Sequence, residues 1–214
     1  MKGLLKNNFL GVCASGRIFA VFMLLLGIFV SAVISQSLLI GYVMIGMVGF
    51  PICAIAVAKN EFTSKWGKYK LTLPVKRADI VKSLFLNQLI WLLIGTLFAL
   101  AGTGLSWLLH GCPFDQPIDI VTMFALGLSI SLLTGAAFFP LFYLGGAERS
   151  EVFLLIALLC AVTVDSVIIS VLNDLLEPGT ATILFGAGAL AAGSLLAFGL
   201  SCLLSVKLFR RNEY

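Results

Sequence analysis

Charge is what this chain has least of. Asp, Glu, Lys and Arg make up 11% of its 214 residues, against about 25% in an ordinary soluble domain. Hydrophobic residues make up 60%. A compact chain of this size leaves too much surface in water to hide them all. A soluble enzyme, a disordered chain and a nucleic-acid binder are excluded on this ground. Histidine occurs once, at His110 beside Cys112, and no second imidazole or nearby acid completes a metal site. The cysteines Cys13, Cys53, Cys112, Cys160 and Cys202 are odd in number and have no short spacing. Neither a disulfide framework nor a zinc site fits that pattern. No Ser/His/Asp group and no pair of intramembrane aspartates is spaced for proteolysis, so no catalytic residue is expected.

What the sequence has instead is long uncharged runs. No Asp, Glu, Lys or Arg occurs from Ile18 to Ala58, a stretch of 41 residues. At about 1.5 Å per residue this makes roughly 60 Å of helix, enough for two crossings of a hydrocarbon core about 30 Å thick. The polar cluster Ser35, Gln36 and Ser37 divides it into spans near 18–35 and 38–58. Further spans are expected near 84–109, 119–143, 152–172 and 181–206. None of these blocks alternates as a β-barrel strand would. The expected fold is all-α, a polytopic membrane protein of six transmembrane helices. A cleaved signal peptide is the competing reading of the N-terminus, but the first apolar run passes straight into a second span.

Cytoplasmic loops of membrane proteins carry an excess of Lys and Arg. All 14 basic residues fall in the N-terminal segment, the loop after span 2, the loop after span 4 and the C-terminal tail. With six spans these lie on one face. The opposite loops carry only Asp115, Asp119, Asp174 and Glu177 as charges. Span counting and charge placement agree, and both put the N and C termini in the cytoplasm.

Finer features follow from helical spacing. Residues 1–16 read as an amphipathic surface helix, with Leu5, Phe9, Val12 and Cys13 on one face, turning into span 1 at Arg17. Small residues four apart permit close helix contact in lipid. They occur at Ala189, Gly193, Ala197 and Ser201, continuing to Ser205, at Gly127, Ser131 and Gly135, and at Gly95, Ala99 and Thr103. These faces are expected to touch other helices, within the chain or in a dimer. Asp165 is the one acid well inside a span, where insertion costs about 2.5–3.5 kcal/mol. It is a candidate for a substrate path. Hydrogen bonding to Thr163, Ser166 or Ser170, or a place near the outer interface, is the structural alternative.

The stretch 59–82 holds seven of the 14 basic residues. Phe62, Trp66 and Tyr69, at spacings of four and three, suit a short helix that Pro74 would end or bend. Asp79 then falls in the first turn of span 3, where the helix dipole favours an acid. A lipid-headgroup anchor is the plainer reading of the same basic and aromatic residues.

Here Glu61, Ser64, Trp66 and Tyr69, then Leu73-Pro74-Val75-Lys76-Arg77, then Asp79-Ile80-Val81-Lys82 resemble a stretch of the ABC-2-type transporter permeases. Lys76 departs from the family pattern, which has a small residue there. The resemblance covers the whole topology, with its specific residues in about 22 positions of one segment. It implies a single transmembrane permease domain over 1–214, with a cytoplasmic coupling segment at 59–82. It implies a bacterial cytoplasmic membrane location, a second permease subunit as homodimer or heterodimer partner, and a separate ABC ATPase. The chain has no P-loop of its own. ATP and Mg would belong to that partner, and no cofactor is expected on this chain. The implied coupling residues are Glu61, Phe62, Lys65, Trp66, Tyr69, Leu73, Pro74 and Arg77. Glu148 and Arg149, between spans 4 and 5, would form a smaller contact. The function implied is an exporter of a peptide, antibiotic or amphipathic compound. A solute-binding subunit of an ATP-driven importer and a non-transporting anchor or sensor are the alternatives.

Overall fold

A computed structural model of the chain describes residues 2–33, 35–63, 77–111, 114, 116–175 and 179–211. It is all-α. Among the described residues, six helices are long and apolar enough to cross a membrane. They are α1 (Lys2–Ala32), α2 (Gln36–Thr63), α3 (Arg77–His110), α4 (Pro117–Gly145), α5 (Ser150–Leu175) and α6 (Thr180–Arg211). One 3-10 turn, Ala147–Arg149, joins α4 to α5.

The N-terminus differs from expectation. Residues 2–32 form one uninterrupted helix, with no turn at Arg17. The cause lies in packing. Leu4, Asn8, Val12 and Gly16 recur every four residues and are all buried. Gly16 lies under the Trp91 ring, and Phe9 stacks on the same ring at 5.3 Å. Asn8 Nδ2 donates to Ser83 Oγ at 3.1 Å. The apolar face assigned to lipid therefore packs against α2 and α3. At 31 residues α1 is about 46 Å long, more than the hydrocarbon core alone requires.

The helices pack around two clusters. One joins α1, α2 and α3 through Met23, Tyr42, Met47, Phe50, Trp91 and Ala99. The other joins the first half of α3 to α4, α5 and α6, with Phe85 against Phe139 at 4.3 Å and Phe198 at 4.9 Å. The α4–α6 contact is the most extensive in the chain, and α4 also meets α2, α3 and α5. Helices α1 and α5 are the least buried.

Small residues set the closest approaches. A Cβ on Gly95 would lie 2.5 Å from the Gly46 carbonyl oxygen, so α2 and α3 touch backbone to backbone. Gly135 admits the Gln88 amide, whose Nε2 donates to the Ser131 carbonyl at 3.0 Å. Ala99 and Thr103 are buried as well.

The ladder on α6 behaves differently. Ser201 and Ser205 are buried, Ala197 is half-buried, and Ala189 and Gly193 are exposed. A step of four residues advances roughly 400° around a helix, so each step drifts by about 40°. A ladder of five such residues winds from one side of the helix to another. The buried stripe of α6 mixes threes and fours instead, through Ala187, Leu190, Ser194, Phe198, Ser201 and Ser205.

Two helices carry an internal proline, Pro51 in α2 and Pro140 in α4. Proline has no N–H, so Pro140 leaves the carbonyl four residues back without its helical partner. That carbonyl belongs to Ala136, and Ser201 Oγ of α6 donates to it at 2.6 Å. A neighbouring helix supplies what the lipid cannot.

Two predictions follow from this packing, both read as thermal unfolding of the purified protein in mild detergent. Ser201→Ala should destabilise the native chain by about 1 kcal/mol. In a Pro140→Ala background it should cost clearly less, because the restored N–H takes the same carbonyl. Gly95→Ala should cost about 1–3 kcal/mol by overpacking against backbone. Gly193→Ala, with nothing within 4 Å of the added Cβ, should leave stability unchanged or raise it.

Candidate functional site

The end of the bundle where α2 stops and α3 and α5 begin brings two of the singled-out segments together. α2 runs to Thr63 and α3 starts at Arg77. Glu61 and Phe62 lie in the last turn of α2, and Arg77 is the first residue of α3. Lys65, Trp66, Tyr69, Leu73 and Pro74 lie outside the described residues.

The second segment is the turn from α4 into α5. Gly146 adopts φ 78°, a left-handed conformation that glycine takes without penalty. Its N–H bonds the Phe142 carbonyl at 3.1 Å and closes the end of α4. Gly145 lies against the Phe153 ring, which folds the turn onto α5. Glu148 and Arg149 are exposed on this turn.

Lys59, one turn before the end of α2, pairs with Glu151 in the first turn of α5 at 2.5 Å. The turn itself also contacts α2. Below the ion pair, Ile55, Phe138, Ser150 and Leu154 line a small cavity of about 220 Å³. The end of α2, the start of α5 and the α4–α5 turn thus form one continuous surface. An exposed ion pair of this kind adds little stability but fixes which loops are neighbours.

Asp165 lies past the midpoint of α5 and is 2% exposed, on a helix whose other faces are mostly open. Its Oδ1 accepts a hydrogen bond from Ser129 Oγ of α4 at 2.8 Å. Its Oδ2 is buried with no hydrogen-bond partner among the described residues. The partners expected from sequence are engaged elsewhere or turned away. Thr163 donates to the Cys160 carbonyl, Ser166 donates to the Val162 carbonyl, and Ser170 is exposed. Ser129 had no distinguishing signal in the sequence. Its place is set by how α4 and α5 meet.

At the outer end, His110 Nε2 lies 2.8 Å from the Ser31 carbonyl. A carbonyl only accepts, so this nitrogen carries the proton and ties α3 to α1. Among the described residues no group of three His, Cys, Asp or Glu side chains could hold a metal ion. Cys13, Cys53, Cys160 and Cys202 are free thiols.

The profile of a family described as "ABC-2 family transporter protein" matches residues 3–210. No curated protein and no solved structure matches the chain significantly.

The Asp165–Ser129 pair makes a specific prediction. Ser129→Ala strands a buried carboxyl and should destabilise the chain by about 1–2 kcal/mol. Asp165→Asn keeps an oxygen acceptor for the Ser129 hydroxyl and should cost less. The double variant Ser129→Ala, Asp165→Val removes both polar partners and should recover most of the loss. Thermal unfolding of the four proteins in one detergent checks the order.

Proposed function

We infer a function from one premise: the chain belongs to the ABC-2 family of transporter proteins. It is the membrane-spanning permease component of an ABC transporter and a multi-pass membrane protein. The finer reading is that it exports a peptide, antibiotic or other amphipathic compound across the bacterial cytoplasmic membrane. The energy comes from ATP hydrolysed on a separate ABC ATPase subunit. A second permease, identical or related, completes the pathway.

The observation that carries this reading is the family match over nearly the whole chain, residues 3–210. The cytoplasmic surface supports it. The segment 59–82 leaves α2 beside the α4–α5 turn, so one partner can touch both. The roles assigned to the segment are apolar docking by Trp66 and Tyr69, charge pairing by Glu61 and Arg77, and an angle set by Pro74.

The packing also supports a lever. A partner shifts a membrane protein only if it makes different contacts in two states. Helices α2 and α3 are in backbone contact at Gly46 and Gly95. Tyr42 Oη donates to the Phe98 carbonyl at 3.0 Å and ties them again nearer the outer end. A push on the segment between them would move both helices as one unit.

Affinity capture from native membranes in mild detergent, with mass spectrometry of the bound chains, tests the reading. An ABC ATPase should be retained by the native protein and largely lost with Trp66→Ala, while membrane insertion is unchanged. Undiminished ATPase association in that variant would remove the role given to Trp66. No ATPase with the native protein would sink the coupling reading.

A further inference from the structure

We propose that the outer ends of α4, α5 and α6 form a binding site for an amphipathic organic cation, with Asp165 as its counter-ion. The claim that this cation is transported rests on the permease reading above. The claim that it binds does not.

The first support is geometric. Helix α5 packs on α4 but scarcely touches α6. Between their outer ends lies a crevice of about 710 Å³. Its walls include Thr122 and Leu126 of α4, Ile169 and Leu172 of α5, and Ile183 and Gly186 of α6. Sites for small molecules span about 300–1,000 Å³ and are mostly apolar with a few polar groups. This crevice has that size and that chemistry.

The second support is where the buried acid stands. Asp165 is four residues from Ile169, and Ser129 is three from Leu126. Residues three and four apart share a helix face, so the pair, which does not itself line the crevice, lies about one turn, roughly 5 Å, deeper on the same helix faces. Only one carboxylate oxygen is used, by Ser129. The other is buried and unpartnered among the described residues. An acid within a span is costly to keep unless something offsets its charge. The helix stretches around it offer no such charge, because no Lys or Arg occurs between Lys82 and Arg149 or between Ser150 and Val206.

The third support is the sign of the surrounding charge. Asp119 stands in the first turn of α4, and Asp174 is exposed at the end of α5. With no basic residue described at this end of the bundle, it attracts cations and repels anions. A cation with an apolar body would cover the apolar walls and place its charge toward Asp165. A bare metal ion finds no ligand set here among the described residues. An anionic amphipath finds no partner for its charge.

The test uses the full-length protein in lipid nanodiscs with two probes of one shape and opposite charge, tetraphenylphosphonium and tetraphenylborate. Equilibrium binding of each labelled ion is measured and corrected with empty nanodiscs. The native protein should bind the phosphonium saturably and show no saturable borate binding. Asp165→Asn should weaken phosphonium binding at least tenfold. Ile183→Trp, which fills the crevice without altering the carboxylate, should weaken it similarly.

Equal binding of the two ions would reduce the site to an apolar groove and overturn the proposal. So would the absence of saturable phosphonium binding, or unchanged affinity in Asp165→Asn. Should Asp165→Asn fail to fold, Ile183→Trp decides, and full affinity in that variant refutes the site. The two readings fail separately. ATPase capture without cation binding removes this site alone, and cation binding without ATPase capture removes the coupling alone.

Discussion

A lipid interior offers no hydrogen-bond partner to a peptide group, and the structure of this chain depends on meeting that demand from within. Helices answer it for nearly every residue of the six spans. Where a helix cannot, another helix must. Pro140 opens the Ala136 carbonyl, and Ser201 closes it from α6. The Asp165 carboxyl takes a hydroxyl from Ser129 rather than from its own helix. Asn8 and Ser83 join α1 to α3 by the same logic. Each of these bonds favours one rotation of one helix against another, because other rotations leave a buried polar group without that partner.

Around those fixed points the helices are unequal. Helix α4 lies between the two clusters and meets α2, α3, α5 and α6. Helices α2 and α3 are joined so closely that neither can slide without the other. Helix α5 is held chiefly by α4, and its remaining surface is left to lipid or to a partner. That imbalance opens the outer crevice. It also puts the start of α5 beside the end of α2 at the opposite end of the bundle. One helix therefore links the surface where an ATPase would press to the place where a ligand would sit. Beyond α4 it has few internal contacts to resist movement.

Two features of the candidate site were marked in the residues, the first of them centred on positions outside the described ones. The basic, aromatic segment before Pro74 stood out because nothing else in the chain is both long and polar. Asp165 stood out because it is the lone acid deep in a span. The partner of Asp165 was not legible. Ser129 is one of several hydroxyl residues on α4, and nothing local marks it. The continuity of α1 was also missed. A basic amphipathic start reads as a surface helix, and only contact with Ser83 and Trp91 shows that its apolar face has protein to cover it. On α6 the small residues were legible and their direction was not. A spacing of four looks like a single face in the sequence but drifts around the helix, so Ser201 turns inward and Gly193 outward.

The sequence by itself determined the number of apolar spans and the absence of any strand-forming pattern. Hydropathy and charge belong to each segment alone and need no neighbour to act. Only the tertiary structure decided which polar groups meet, which small-residue faces are internal and where a crevice remains. Those outcomes depend on the rotation of one helix against another, between residues such as Ser129 and Asp165, 36 apart, or Asn8 and Ser83, 75 apart. No local pattern encodes a relation across that distance. It is settled when the helices pack and groups such as Ser129 and Asp165, or Asn8 and Ser83, come within reach of each other.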